Sequence, residues 1–175
     1  MRGIRWSRLA LAFASLILLE GCMTSNDGDT NAPLPRMSRQ DAQTWAAHFA
    51  ESMARSAGAP IDATSVKPQF SDCVGKNDEV AHDGRFYLTY RAEVPLPAHK
   101  QGSAGARIRD DLQKRGYEIT SFRDDDTVDP AVVLEAYNPD QDFSIRVAGY
   151  KAPEVLNLGV FTPCLLPPGV KQEQL

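Results

Sequence analysis

Residues 85–94, RFYLTYRAEV, limit the fold most tightly: Phe86, Leu88, Tyr90, Ala92 and Val94 alternate with Tyr87, Thr89, Arg91 and Glu93. Successive side chains of a strand point to opposite faces, so this period of two makes one face of a sheet apolar and the other polar. Such a sheet needs a covering layer on one side only, and the outward residues on the other side meet solvent or a partner. His82-Asp83-Gly84 supplies a turn before the strand, and Pro95 and Pro97 end it.

The later segments 117–123, 131–137 and 143–150 alternate in the same way, and the last two are joined by the five-residue hairpin loop Asn138-Pro139-Asp140-Gln141-Asp142. A final strand, 154–162, runs to Cys164, and a short strand at 66–72 leads into Cys73, with loop over 74–81. Ser38 is a good N-cap with Asp41 three residues on. Ala42, Trp45, Phe49 and Met53 then recur at helical spacing, with Glu51 and Arg55 set for an i,i+4 pair, until Gly58 and Pro60. The spacing predicts a helix over 38–57 whose Trp45-Phe49-Met53 stripe faces the core, a partner helix being the rival use of it. His48 lies on its flank.

A second helix follows, weakened at its start by Gly102, Ser103 and Gly105. Ala104, Ile108 and Leu112 mark its apolar face, and Arg107–Asp111, Asp110–Lys114 and Asp111–Arg115 are charge pairs on the solvent side before Gly116. The order α, β, β, α, β, β, β, β with short late loops makes neighbouring strands antiparallel. The expected class is α+β: a mostly antiparallel sheet of about five to six strands with two helices on one face.

Ahead of this domain stands an address. Arg2, Arg5 and Arg8 precede the apolar run 9–19, LALAFASLILL, which is short beside the roughly 20 residues of a membrane span and has the build of a secretory signal. The run ends in Leu19-Glu20-Gly21-Cys22, which resembles the lipobox of bacterial lipoproteins at Leu19, Gly21 and Cys22 and departs from it at Glu20. The resemblance implies cleavage before Cys22 and lipid on Cys22, an uncleaved anchor and a plain secreted form being the alternatives. Loss of residues 1–21 removes three arginines and one glutamate, taking the formal charge from −4 to −6. A domain of that charge is weakly repelled by anionic lipid and, with no basic block, is no nucleic-acid binder.

The cysteines agree with export. Of three, Cys22, Cys73 and Cys164, lipidation of the first leaves two that can pair outside the cytoplasm. A metal pair or a redox pair are the rivals, but neither cysteine has C-x-x-C spacing or a nearby histidine. Residues 23–36, MTSNDGDTNAPLPR, are polar with no apolar period. The expected organisation is a signal peptide at 1–21, a lipid-anchored flexible tether at 22–37, one domain at 38–169 and a polar tail at 170–175.

Leu19–Cys22, Ser71-Asp72-Cys73 followed by Gly84-Arg85-Phe86-Tyr87, RIRDDLQKRGYEITSFR at 107–123, and Pro163-Cys164 together resemble a group of small cell-envelope lipoproteins of actinobacteria. The resemblance implies location on the outer face of the cytoplasmic membrane or in the cell envelope, and a disulfide. It carries no catalytic residue across.

The search for chemistry returns mostly negatives: no G-x-S-x-G elbow, P-loop, dinucleotide fingerprint or H-E-x-x-H is present. Ser103 among glycines has the wrong spacing for a nucleophile, His48, His82 and His99 lie in different elements, and His82-Asp83 reads as a turn before it reads as an acid–base pair. Asp124, Asp126 and Asp129, in the run DDDTVD, form a weak cation candidate. The register of a calcium loop fails there, because Val128 takes a ligand position and Asp129 the glycine position, and Glu135 belongs to a strand. No cofactor is expected.

What remains is a non-catalytic envelope module, anchored through Cys22, that binds an envelope protein, a polymer or a small ligand; an envelope hydrolase or transferase with an unrecognised site is the alternative. The outward residues Tyr87 and Arg91 of one strand and Arg146 and Tyr150 of another form the candidate binding face, provided that Phe143, Ile145 and Val147 face the core.

Overall fold

The computed structural model describes residues 31–175; the expected signal peptide, the lipobox-like tetrapeptide and Cys22 lie outside the described residues. The elements run α1 (Arg39–Ala57), β1 (Asp62–Asp72), β2 (Phe86–Pro95), α2 (Ala98–Lys114), β3 (Glu118–Asp124), β4 (Val132–Asn138), β5 (Phe143–Lys151) and β6 (Glu154–Phe161). The strands make one six-stranded sheet in the order β1-β2-β6-β5-β4-β3, every neighbouring pair antiparallel. The class is the expected α+β. Both helices pack on the face that carries Phe86, Leu88, Tyr90, Leu134, Phe143, Ile145, Leu156, Leu158 and Val160, all buried.

Helix α1 begins as anticipated: the Ser38 hydroxyl accepts a hydrogen bond from the Asp41 backbone N–H at 3.0 Å, and the helix ends at Gly58, whose N–H donates to Ala54 O. Its core stripe differs from the expected one. The fully buried positions are Ala42, Ala46, Ala50, Met53, Ala54 and Ala57, whereas Trp45 and Phe49 are half-buried. Alanines let the helix axis settle close to the sheet, where large sheet residues fill the space. Trp45 and Phe49 close the rim by packing their rings on Phe143 at 4.6 and 4.9 Å between centroids.

Helix α2 starts at Ala98, ahead of the glycines expected to mark a weak start. Pro97 offers no side-chain cap, and Glu154 of β6 supplies one across the fold: its Oε1 accepts from the Ala98 N–H at 2.9 Å. Gly105 sits where a Cβ would fall 2.6 Å from Val132 Cγ1, so its small size admits the sheet. The charged side of α2 is also partly a seam. Arg107 donates to the Ser56 and Ala57 carbonyls at the end of α1, Arg115 to the Ser52 hydroxyl, and Ser56 to Asp111.

Strand β1 begins at Asp62, four residues before the expected Val66. Across the irregular stretch between Asp62 and Lys67, the Ser65 hydroxyl accepts from the Glu93 N–H and donates to Asp62 O. Because β1 and β6 both run antiparallel to β2, their C-terminal ends emerge together at the start of β2. Cys73 and Cys164 meet there in a disulfide, with Cα atoms 6.0 Å apart.

Residues 31–37, read as tether, and 170–175, read as tail, run alongside each other. Gln172 accepts from the Leu34 N–H and donates to Ala32 O, Asn31 bonds both the N–H and the carbonyl of Leu175, and Arg36 donates to Val170 O. Proline-rich polar residues carry no apolar period, so nothing in their pattern announces a docked strap. The backbone groups of each segment are met instead by side chains of the other, those of Asn31, Arg36 and Gln172.

Candidate functional site

The two helices cover one face of the sheet. On the other, the register lines up Lys67 of β1, Arg91 of β2, Gly159 of β6, Arg146 of β5 and Glu135 of β4 as successive neighbours. Strands lie about 4.8 Å apart, so the Arg91 and Arg146 Cα atoms stand roughly 10 Å from each other across Gly159. Small residues at the centre (Gly159 and Ala148) between long ones (Arg91, Arg146, Tyr150 and Phe161) leave a groove of about 290 Å³.

Gly159 is required by a close approach. A Cβ there would lie 2.8 Å from Phe161 Cε2, so the Phe161 ring leans back along its own strand over the glycine. Arg146 is held in place by Glu135 Oε1, which accepts from its Nε at 2.9 Å and its Nη2 at 2.5 Å. No hydrogen bond or ion pair within the described residues engages the side chains of Arg91, Asn157 or Tyr150. The groove therefore presents a guanidinium, an amide and a phenol with free hydrogen-bonding capacity, beside an aromatic ring.

Three of the four residues expected on the binding face, Arg91, Arg146 and Tyr150, line this groove. Phe143, Ile145 and Val147 face the core, the condition on which that assignment rested. Tyr87, 38% exposed, shares the face but pairs with Ser71 near the disulfide end, away from the groove. Asn157, Gly159 and Phe161 of β6 were missed. Their signal is present, since Leu156, Leu158 and Val160 alternate with them, but only the placement of β6 between β2 and β5 makes them neighbours of both arginines.

The other candidates separate. Asp83 and Arg85 form a bidentate pair with side chains 1% and 3% exposed, and Asp83 also accepts from the Glu173 N–H, so Asp83 is no partner for His82. Hydrogen bonds from Arg85 hold the Asp83 carboxyl well below the usual carboxylate range, against the opposing effect of burial. Asp124, Asp126 and Asp129 do not converge. Asp125 turns the loop by accepting from Thr127, Asp129 accepts from the Lys151 N–H, and the Lys151 ammonium meets the Asp126 carbonyl. Among the described residues no group of three or more His, Cys, Asp or Glu side chains is placed to hold a metal ion. A larger apolar cleft of about 640 Å³ lies between the end of α1 and β1, lined by Ala54, Ile61, Val66 and Tyr90. Burial raises the Tyr90 phenol, with Glu51 adding to the effect, and the polar side chains at the cleft are Tyr90 and the exposed Glu51–Arg55 pair.

Fold and groove together define a two-layer α+β domain whose antiparallel sheet is covered on one side and carries a polar groove on the other. Compared with protein-family models, curated proteins and solved structures, the chain gives no match.

Proposed function

We propose that this chain is a lipid-anchored, extracytoplasmic binding module of the cell envelope, without a catalytic site of its own, which engages its partner through the uncovered sheet face around Arg91, Arg146 and Tyr150. The observation that carries the reading is the groove itself: three outward residues from two strands converge on one concavity, where Arg91 and Tyr150 keep their side-chain polar groups free and Arg146 is oriented by Glu135. The Cys73–Cys164 disulfide supports export, because such bonds persist in oxidising compartments. With residues 31–37 docked on the domain, eight residues (23–30) separate Cys22 from Asn31. Even fully extended, that stretch spans at most about 30 Å, so the domain works close to the membrane surface.

Two measurements test this. Intact mass of the protein from membranes is expected to show an acylated chain beginning at Cys22, and Cys22→Ala is expected to accumulate as precursor; a mature product starting elsewhere removes the anchor from the reading. Crosslinking on intact cells is expected to lose its products in the Arg91→Ala/Arg146→Ala/Tyr150→Ala variant at unchanged melting temperature. Unchanged products in that folded variant would dismiss the face, and a turnover abolished by His82→Ala would dismiss the non-catalytic reading.

A further inference from the structure

Resting on the reading of the uncovered face as a binding surface, the geometry points to its ligand class: we propose that the Arg91–Arg146 groove binds a carboxylate-bearing glycan. Lys67 and Arg91 are directly opposed across β1 and β2, both exposed, and neither has an ion-pair partner among the described residues. Like charges in that position destabilise a sheet, and the chain as a whole is acidic at −4. A cationic pair kept in such a place is matched to an anion that arrives from outside.

The neighbours set the charge of that anion. Arg146 is compensated by Glu135, and Glu93, two residues from Arg91 on the same face, stands opposite Asp62, so the Lys67–Arg91 pair is flanked by carboxylates and the face carries no large surplus of positive charge. That balance suits a single negative charge at a time, as on a carboxylated sugar. It does not suit a dense polyphosphate or a nucleic acid, which the acidic chain repels. The free guanidinium of Arg91 offers a bidentate fork to a carboxylate.

The other walls select a sugar over a peptide. The groove lies over β2, β6 and β5, central strands whose ladders are paired on both sides, so no backbone edge is free there for a peptide strand to extend. Phe161, leaning over Gly159, presents an aromatic ring to the apolar face of a pyranose. The Asn157 amide and the Tyr150 phenol can donate to or accept from ring hydroxyls.

The test uses the full chain in non-ionic detergent, titrated calorimetrically with hexagalacturonate, with neutral maltohexaose and with tripolyphosphate. Hexagalacturonate is expected to bind most tightly, with affinity falling as salt rises. Arg91→Gln is expected to weaken it about tenfold or more, and Asn157→Ala and Phe161→Ala several-fold. Arg55→Gln, on the outer side of α1, is expected to leave it unchanged. Arg91→Gln is expected to melt no lower than wild type, because it relieves the Lys67 repulsion, which separates lost binding from lost folding. Equal binding of maltohexaose, tighter binding of tripolyphosphate, or indifference to Arg91→Gln would overturn the proposal. A photo-crosslinker placed at Tyr150 on intact cells keeps the two readings apart. Crosslinks there without hexagalacturonate binding would overturn the ligand class and leave the face standing, whereas neither signal would remove both.

Discussion

Asp83 and Arg85 show how a buried charge is made tolerable here. Arg85 Nε and Nη2 donate to both carboxylate oxygens at 2.6–3.1 Å, the Arg85 and Glu173 backbone N–H groups add two more donors, and Arg85 Nη2 also reaches Glu173 O. The cluster thereby ties the turn before β2 to the C-terminal strap. The pair lies under a thin cover near the surface, but removing one partner still strands a charge away from water, so Asp83→Asn is expected to cost about 3 kcal/mol by urea unfolding. Because the folded-state carboxyl is held below its unfolded value of about 3.9, the unfolded chain takes up the proton first. The stabilisation is complete above about pH 5 and is withdrawn as pH falls through about 4 and below. Wild type is therefore expected to lose stability more steeply than Asp83→Asn on acidification below about pH 4, as followed by thermal melts across an acid series.

Among the elements, α1 has the narrowest tolerance. Its alanine face, with Ala42, Ala46 and Ala50 all at 0% exposure, leaves no volume for a larger side chain. Ala46→Leu is expected to destabilise the domain by about 1–3 kcal/mol through overpacking, measured by urea unfolding, although leucine is nearly as good a helix former as alanine. The pattern of apolar residues gives no notice of this, since it made Trp45 and Phe49 the obvious inward positions. Aromatic residues advertise burial by hydrophobicity, and alanine advertises it weakly. Which of the two lies against a sheet is decided by how close the helix approaches, a property of the packed layers. Helix α2 carries the companion lesson: its start is set by Glu154 of β6, and no local residue near Pro97 could have signalled that cap.

The whole molecule is closed by one covalent bond and one strap. The disulfide joins positions 91 residues apart, and in the chain-entropy account a loop of that length is worth about 4–5 kcal/mol. Reduction is expected to lower the melting temperature by about 10 °C in a domain of this size, checked by differential scanning calorimetry with and without a thiol reductant. Removing residues 171–175 is expected to lower it by a smaller amount, since Gln172 and Glu173 carry the strap's hydrogen bonds to Leu34, Ala32 and Asp83. A truncated chain that melts like wild type would show that the strap contributes nothing.

By itself the sequence determined the local and periodic features. The period of two in β2 and β5 told inward from outward residues, Ser38 and Gly58 bounded α1, the short late loops made the sheet antiparallel, and Cys73 and Cys164 were there to pair. These follow from interactions a few residues long, and on that ground the side of the sheet was legible for all four expected face residues, of which Arg91, Arg146 and Tyr150 line the groove. Only the tertiary structure decided that β6 lies between β2 and β5, which places Gly159 and Phe161 between Arg91 and Arg146 and Lys67 opposite Arg91. It also decided that alanines take the core face of α1, and that residues 31–37 and 170–175 hold each other. Each of these joins residues far apart in the chain. Strand order and close approach are set by how the layers fill space, and no local pattern encodes that.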